Sequence, residues 1–139
     1  MMYLAAIVAD LYIPLLIFIW LFYLYKEATI RCAEIKVLLL SLLLVYSLMF
    51  ADNYFDIWPI WGLDYSTHSA VALIFVVNLK WRNRMLLYLA PLSLCVYLCL
   101  MRLLNYHSFA DTFSTVLVLL PILIYCQKGR VNMRLRSSG

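Results

Sequence analysis

Charged residues and glycine are scarce in this chain of 139 residues. Asp, Glu, Lys and Arg together make up 13% of it, glycine occurs three times, and hydrophobic residues make up 67%. The surface of a soluble domain consists largely of polar and charged side chains, and so few charges cannot cover one. The scarcity therefore excludes an ordinary soluble domain and predicts an integral membrane protein.

Cysteine is also too sparse for a disulfide framework. The chain has four, and Cys95 and Cys99 lie one helical turn apart in an apolar segment, where a metal site would need further ligands nearby. We interpret these two as small packing residues at a helix interface. The sequence predicts no metal site and no cofactor.

Long apolar stretches are what the chain has in abundance. Stretches without Asp, Glu, Lys or Arg recur along it, each close to the ~20 residues that a bilayer crossing needs once flanks are included. No repeat, low-complexity segment or long linker divides the chain, so we expect a single integral membrane domain over residues 1–139. The fold class predicted is all-α, a polytopic transmembrane helix bundle of about five spans, at residues 3–25, 37–51, 66–80, 85–103 and 107–127.

The first span is expected to be retained. Residues 1–25 lack a basic N-terminal region and carry Asp10 inside the apolar run, unlike a signal peptide. Asp10 has no charged neighbour in sequence, and pairing with Arg102 in a shared cavity is one interpretation of its presence.

Basic residues predict the orientation, because Lys and Arg concentrate in cytoplasmic loops. Ten of the eleven lie in the first and third connections and the C-terminal tail, whereas Arg102 is alone at the opposite face. The N-terminus is therefore expected outside and the C-terminus in the cytoplasm. The net charge of +4 then reflects topology and contact with anionic lipid, and we expect no nucleic-acid partner.

Polar residues mark the outer ends of the last segments, where hydrocarbon is expected. Arg102, His107 and Asp111 flank the start of the last span, and ionisable groups at membrane depth indicate function because they are costly to bury. His107 and Asp111 are four residues apart, which predicts that both side chains lie on one face of a helix. Ser114 and Thr115 extend this polar stripe, which should face inward.

A second polar group, Ser66, Thr67 and His68, opens the third segment. Ser66 or Thr67 is a natural N-cap, and Lys80 ends the segment soon afterwards. Because so short a helix spans less than the hydrocarbon core, His68 is expected below the outer membrane surface. The loop before it, residues 52–65, is rich in aromatics, which favours either anchoring at the headgroup level or a lid over a site.

These residue types suit phosphoryl transfer. An imidazole with a carboxylate partner can act as a nucleophile, an Arg guanidinium suits phosphate oxygens, and a second His can protonate a leaving oxygen. The two histidines would also suit haem b, which is a further interpretation of the pair.

The order of these groups resembles the type-2 phosphatidic acid phosphatase family of membrane lipid phosphatases. Tyr65-Ser-Thr-His68 is similar to that family's Pro-Ser-Gly-His motif, and the segment from Met101 to Asp111 is similar to its Ser-Arg-x5-His-x3-Asp motif, with one residue fewer between Arg and His. In the family, as here, the first of these motifs opens one helix and the second starts the last span. The family's basic Lys-x6-Arg-Pro motif has no counterpart, and Asp52 and Asp56 occupy its region.

The resemblance implies a metal-independent phosphatase or phosphotransferase of lipid-linked phosphates, in a bacterial inner (cell) membrane with the site facing the periplasm or exterior. It implies His107 as nucleophile, Asp111 as its orienting carboxylate, His68 as acid, and Arg102, Ser66 and Thr67 as substrate-binding residues. The missing basic motif keeps an alternative open: a small noncatalytic membrane subunit that binds lipid or scaffolds a complex. Partner membrane subunits or a homo-oligomer fit either role.

Overall fold

The computed structural model describes residues 1–137, which form helices joined by short connections, with no strand among them. The prediction of an all-helical chain is confirmed. Single turns of 3₁₀ helix at Ala28–Ile30 and Pro59–Trp61 lie in the connections that follow the first two helices. The helices are α1 (Met2–Lys26), α2 (Arg31–Phe55), α3 (Thr67–Leu79), α4 (Arg84–Leu103) and α5 (Phe109–Ser137).

Within residues 1–137, α1, α2, α4 and α5 are long and apolar enough to cross a membrane. α3 has 13 residues. It is therefore about 20 Å long, against a hydrocarbon core of ~30 Å. Helix length and composition support four crossings, where the sequence predicted about five spans.

The helix ends differ from the predicted spans mainly in α2 and α5. The prediction for α2 was residues 37–51, whereas the helix begins at Arg31 and ends at Phe55. α5 begins at Phe109 rather than at 107, and continues to Ser137 rather than ending at 127. Charged side chains end an apolar run without ending a helix, because the backbone hydrogen bonds continue while the side chains reach water or a partner.

α3 lies at the centre of the bundle and packs against α1, α2, α4 and α5. Side chains on every side of it are buried, and small residues such as Ala70 and Ala72 let neighbouring helices approach. A helix that is apolar all round is expected in the interior of a protein. The four long helices therefore enclose α3, whose N-terminus lies at one end of the bundle and whose C-terminus lies at the other.

An ionic network is buried around the C-terminal end of α3, which we call the network end of the bundle. The carboxylate of Glu34 lies 2.8 Å from a guanidinium nitrogen of Arg82 and 2.8 Å from one of Arg130. It also accepts a hydrogen bond from Asn78 Nδ2 at 3.2 Å. Arg82 reaches Glu27 as well, at 2.8 Å. The side chains of Glu34, Arg82 and Arg130 have no exposed surface, so two cations and two anions neutralise one another within the bundle.

Two of the ten basic residues counted for the orientation, Arg82 and Arg130, belong to this network. They are internal side chains paired with Glu27 and Glu34, which are the only two glutamates in the sequence. Both glutamates lie among basic residues in the sequence, and this pattern indicates that they form ion pairs. Which bases they pair with depends on packing, since Arg130 and Glu34 are 96 residues apart in the chain.

Candidate functional site

A cavity of about 470 Å³ lies among α1, α3, α4 and the turn between α4 and α5. Both histidines of the chain line it, together with one acid and two tyrosines, and we call it the two-histidine cavity. The structure thus brings His68 and His107 together from separate elements. Its lining residues are Ala9, Asp10, Ile13, His68, Tyr97, Met101, Tyr106 and His107.

The α4–α5 turn carries two of the lining residues, Tyr106 and His107. It starts with a Schellman motif: the Asn105 N–H donates to Arg102 O and the Tyr106 N–H donates to Met101 O, both at 3.1 Å. Asn105 is left-handed with φ 56°, a conformation that Asn tolerates better than most residues. The motif reverses the chain at once, so Tyr106 and His107 return towards the cavity.

The turn ends with a capping box at the start of α5. Ser108 Oγ accepts from the Asp111 N–H at 3.2 Å, and Asp111 Oδ2 accepts from the Ser108 N–H at 2.8 Å. The other oxygen of Asp111 accepts from the Asp64 N–H at 2.9 Å. Asp111 therefore ties together the residue after His107 and the loop before α3.

The predicted placement of His107 and Asp111 on one helix face is wrong. α5 begins at Phe109, so His107 precedes the helix. The carboxylate next to His107 is that of Asp64, whose Oδ2 lies 3.5 Å from the ring Nδ1. This Nδ1 is buried and makes no hydrogen bond within residues 1–137, so the contact is an ion pair when His107 is protonated. The spacing of four residues could not reveal this, because a helix start falls between the two positions.

Of the three polar residues at the start of α3, only His68 lines the two-histidine cavity. Ser66 is the N-cap, as predicted: its fully buried Oγ accepts from the Ser69 N–H at 3.4 Å and lies 2.8 Å from Ser69 Oγ. Thr67 lines a smaller pocket of about 220 Å³ that shares His68 with the first cavity. The structure therefore does not bring Ser66 and Thr67 to the cavity, where phosphate ligands were expected.

Arg102, the predicted anion ligand, does not line the cavity either. It is exposed in the last turn of α4, and its Nη1 donates to Asn105 Oδ1 at 3.2 Å. Asp10 does line the cavity, and no ion pair joins it to Arg102 within residues 1–137. The cavity therefore contains one carboxylate and two imidazoles, and its charge depends on the protonation of the histidines.

The loop between α2 and α3 is bonded to α5. Trp58 is buried, and its indole Nε1 donates to Ser114 Oγ at 3.1 Å. Asp52 Oδ1 accepts from the Trp58 N–H at 2.7 Å, and the Ser66 N–H donates to Thr115 Oγ1 at 3.1 Å. The polar stripe of α5 faces inward, and its partners are this loop rather than the cavity.

Tyr65 attaches the end of this loop to α2. Its hydroxyl donates to Val45 O at 3.0 Å. Burial raises the pKa of the Tyr65 phenol, and the nearby Asp52 carboxylate raises it further, so the hydroxyl keeps its proton and remains a donor. No residue of this loop lines the two-histidine cavity. The loop thus braces the α4–α5 turn and does not cover the site as a lid.

Replacing Asp111 by Ala is expected to loosen this brace. The change removes the acceptor of the Ser108 and Asp64 N–H groups, which water replaces in part because both bonds are exposed. It should lower the free energy of unfolding by about 0.5–2 kcal/mol. Hydrogen exchange of the peptides around Asp64 and Ser108 should accelerate. Asp64→Ala is the matched control, because that side chain is 71% exposed and the Asp64 N–H remains. Equal exchange in the two variants would contradict the structural role of Asp111.

Within residues 1–137, no group of three or more His, Cys, Asp or Glu side chains is arranged to hold a metal ion. Comparisons of the chain with protein-family models, curated proteins and solved structures find no match. The structure defines a class: a helical chain whose four long apolar helices are consistent with an integral membrane protein, with a two-histidine cavity at one end.

Proposed function

We propose that the chain is a metal-independent phosphatase or phosphotransferase of lipid-linked phosphates, with His107 as nucleophile. The observation that carries the proposal is the shared cavity, because nucleophile and acid must face the same substrate. The reaction class comes from the resemblance of the segments at 65–68 and 101–111 to the lipid phosphatase motifs. The cavity is large enough for a phosphate headgroup and its first substituents, since ligand pockets begin at roughly 300 Å³.

The distribution of basic residues supports an orientation. Even with Arg82 and Arg130 paired internally, the remaining bases other than Arg102 belong to the sequence segments around the network end. By the positive-inside rule this end faces the cytoplasm, with the N-terminus outside and the C-terminus inside. α3 is then a short fifth span enclosed by the other four helices. The two-histidine cavity faces the exterior or periplasm of a bacterial cell membrane.

The reaction would proceed through a phosphohistidine. The Asp64 carboxylate lies at Nδ1 of His107, which leaves Nε2 as the attacking nitrogen. The N–P bond forms as the bond from phosphorus to the leaving oxygen breaks, and protonated His68 gives its proton to that oxygen. Water then attacks phosphorus while neutral His68 takes a proton from it, and the N–P bond breaks, which releases phosphate and regenerates His107. For transfer, another hydroxyl replaces the water.

Asp64 replaces Asp111 as the orienting carboxylate in this scheme. Asp111 instead holds the turn from which His107 projects, through its bonds to Ser108 and Asp64. Arg102 lies one residue after Met101, which lines the cavity. To bind phosphate, the guanidinium of Arg102 must leave Asn105 and turn inward, so Arg102→Ala should raise KM more than it lowers kcat.

A second candidate function is a noncatalytic membrane subunit that binds a lipid or scaffolds a complex. The observation that favours it is the charge of the cavity, which contains Asp10 and lacks Arg102. A phosphomonoester carries up to two negative charges, and a catalytic site for it ordinarily supplies preorganised cationic or N–H donors. Such a subunit would retain the cavity without turnover.

Purified protein assayed with phosphatidic acid and prenyl pyrophosphates in the presence of EDTA tests both functions. Phosphate release that persists in EDTA and disappears in His107→Ala supports the phosphatase. Saturable lipid binding without release supports the noncatalytic subunit, and neither release nor binding contradicts both. An absorption spectrum of the same sample tests the haem interpretation, because a bis-histidine haem gives a Soret band.

A further inference from the structure

An apolar groove of about 490 Å³ runs between α1 and α4 on the outside of the bundle. Both helices are apolar enough to cross a membrane, so the groove opens where bilayer hydrocarbon is expected. From Leu89 to Leu100 it extends about 16 Å along α4, close to the depth of one leaflet. We call it the α1–α4 groove, and its apolar walls are Val8, Leu15, Leu89, Leu92, Val96 and Leu100.

The polar atoms at the base of the groove are already paired. Tyr12 OH and Ser93 Oγ are 2.8 Å apart, and Ser93 Oγ donates to Ala90 O at 2.8 Å. Because the Ser93 proton is used in that bond, Tyr12 donates to Ser93. A hydrocarbon chain can therefore lie over these hydroxyls without leaving a donor unpaired. The groove accepts an apolar occupant at little cost.

The groove adjoins the two-histidine cavity at one aromatic side chain. Tyr97 is buried and lines both spaces. The Tyr12 ring stacks on it with centroids 4.4 Å apart and an interplanar angle of 22°. On α1, the cavity residues Ala9 and Ile13 directly follow the groove residues Val8 and Tyr12. A single amphiphile can thus place a polar head beside the histidines and a chain in the groove.

We propose that the α1–α4 groove holds one hydrocarbon chain of a lipid whose polar head occupies the two-histidine cavity. The identity of the head as a phosphate rests on the proposed function, whereas occupancy of the groove does not require turnover. Hydrocarbon gains little on moving from lipid to an apolar groove. The groove therefore positions the chain, and the head supplies most of the affinity.

Photocrosslinking in phosphatidylcholine nanodiscs tests the groove directly. The probe is a phosphatidic acid with a diazirine in mid-chain, and labelled residues are mapped by mass spectrometry. We expect labelling of α1 and α4 within residues 8–15 and 89–100, suppressed by excess unlabelled phosphatidic acid. Leu92→Trp fills the groove and should reduce this labelling several-fold. Leu117→Trp is the matched control, because Leu117 is similarly exposed on α5, 63% against 60%, and should leave labelling unchanged.

Turnover of a long-chain and a short-chain substrate tests the role of the groove independently of the proposed reaction. Overpacking the groove in Leu92→Trp should raise KM for a long-chain phosphate about tenfold, and leave a water-soluble short-chain ester unaffected. Localised, competed labelling without turnover by any variant would overturn the phosphatase and leave the groove standing. Labelling spread evenly over all helices, or unchanged in a Leu92→Trp protein that elutes as a folded monodisperse species, would overturn the groove whatever the turnover.

Discussion

Replacing Glu34 by Gln is expected to lower the free energy of unfolding by about 3–5 kcal/mol, the range for breaking a buried ion pair by removing one partner. The carboxylate of Glu34 has no exposed surface and lies 2.8 Å from both Arg82 and Arg130. Gln keeps the volume and removes the charge. Two guanidinium ions then remain in the interior with Glu27 as the one anion of the network. Reversible unfolding in mixed detergent micelles measures the loss.

Glu27→Gln is the control for this change. The Glu27 side chain is 22% exposed, so water can solvate Arg82 in part when the Glu27 charge is removed. We expect Glu27→Gln to lower the free energy of unfolding by about 1 kcal/mol or less. If Glu34→Gln and Glu27→Gln unfold at the same detergent composition, the prediction that burial makes the loss of Glu34 more destabilising is wrong. Glu34→Asp, which keeps the charge on a shorter side chain, should fall between Glu34→Gln and the unaltered protein.

Loss of either histidine is the second large expected effect, and it falls on activity rather than stability. His107→Ala should lower kcat/KM about 10⁴-fold or more, because the phosphohistidine cannot form without the His107 ring. His68→Ala should lower it by about 10²–10⁴-fold, the contribution of a general acid. Phosphate release in EDTA-containing buffer, with long-chain phosphatidic acid as substrate, measures both.

Rescue experiments separate chemistry from structure. Imidazole added to His107→Gly should restore part of the phosphate release, which a merely structural role for His107 does not predict. His68→Ala should recover most with substrates whose leaving group needs no proton, such as a nitrophenyl phosphate. In both variants the free energy of unfolding should stay within about 1 kcal/mol of that of the unaltered protein, since neither histidine belongs to the buried core. Unchanged turnover in His107→Ala would contradict the proposed mechanism.

The N-cap at Ser66 and the short third helix were predictable from local sequence. A hydroxyl residue before an apolar run supplies the acceptor that the first turn of a helix lacks, and Lys80 limits the run on the other side. The ends of α2 and α5 were not predictable in this way, because a charge inside a helix and a charge beyond its end look alike in sequence. Glu34 and Arg130 continue their helices and meet each other in the interior.

Of the candidate site, the sequence predicted the two histidines that line the cavity, but neither the rest of the lining nor the geometry. The sequence indicated His68, His107 and Arg102 as unusual residues at one face. It did not show that His107 lies in a turn between a Schellman motif and a capping box, nor that Asp64 takes the place beside its Nδ1. One interpretation of the sequence was that Asp10 pairs with Arg102 in a shared cavity. The structure places Asp10 in the cavity lining and leaves Arg102 outside it.

The sequence by itself determined that this chain is apolar enough for a membrane and that its fold is all-helical. Hydrophobic content and the spacing of charges are properties of short segments. The free energy of transferring each segment from water to the bilayer depends mainly on its own residues. Only the tertiary structure decided which charges are buried together, which residue faces His107 and which groove adjoins the cavity. These depend on side chains tens of residues apart meeting when α1, α2, α4 and α5 close around α3, and no local pattern contains that information.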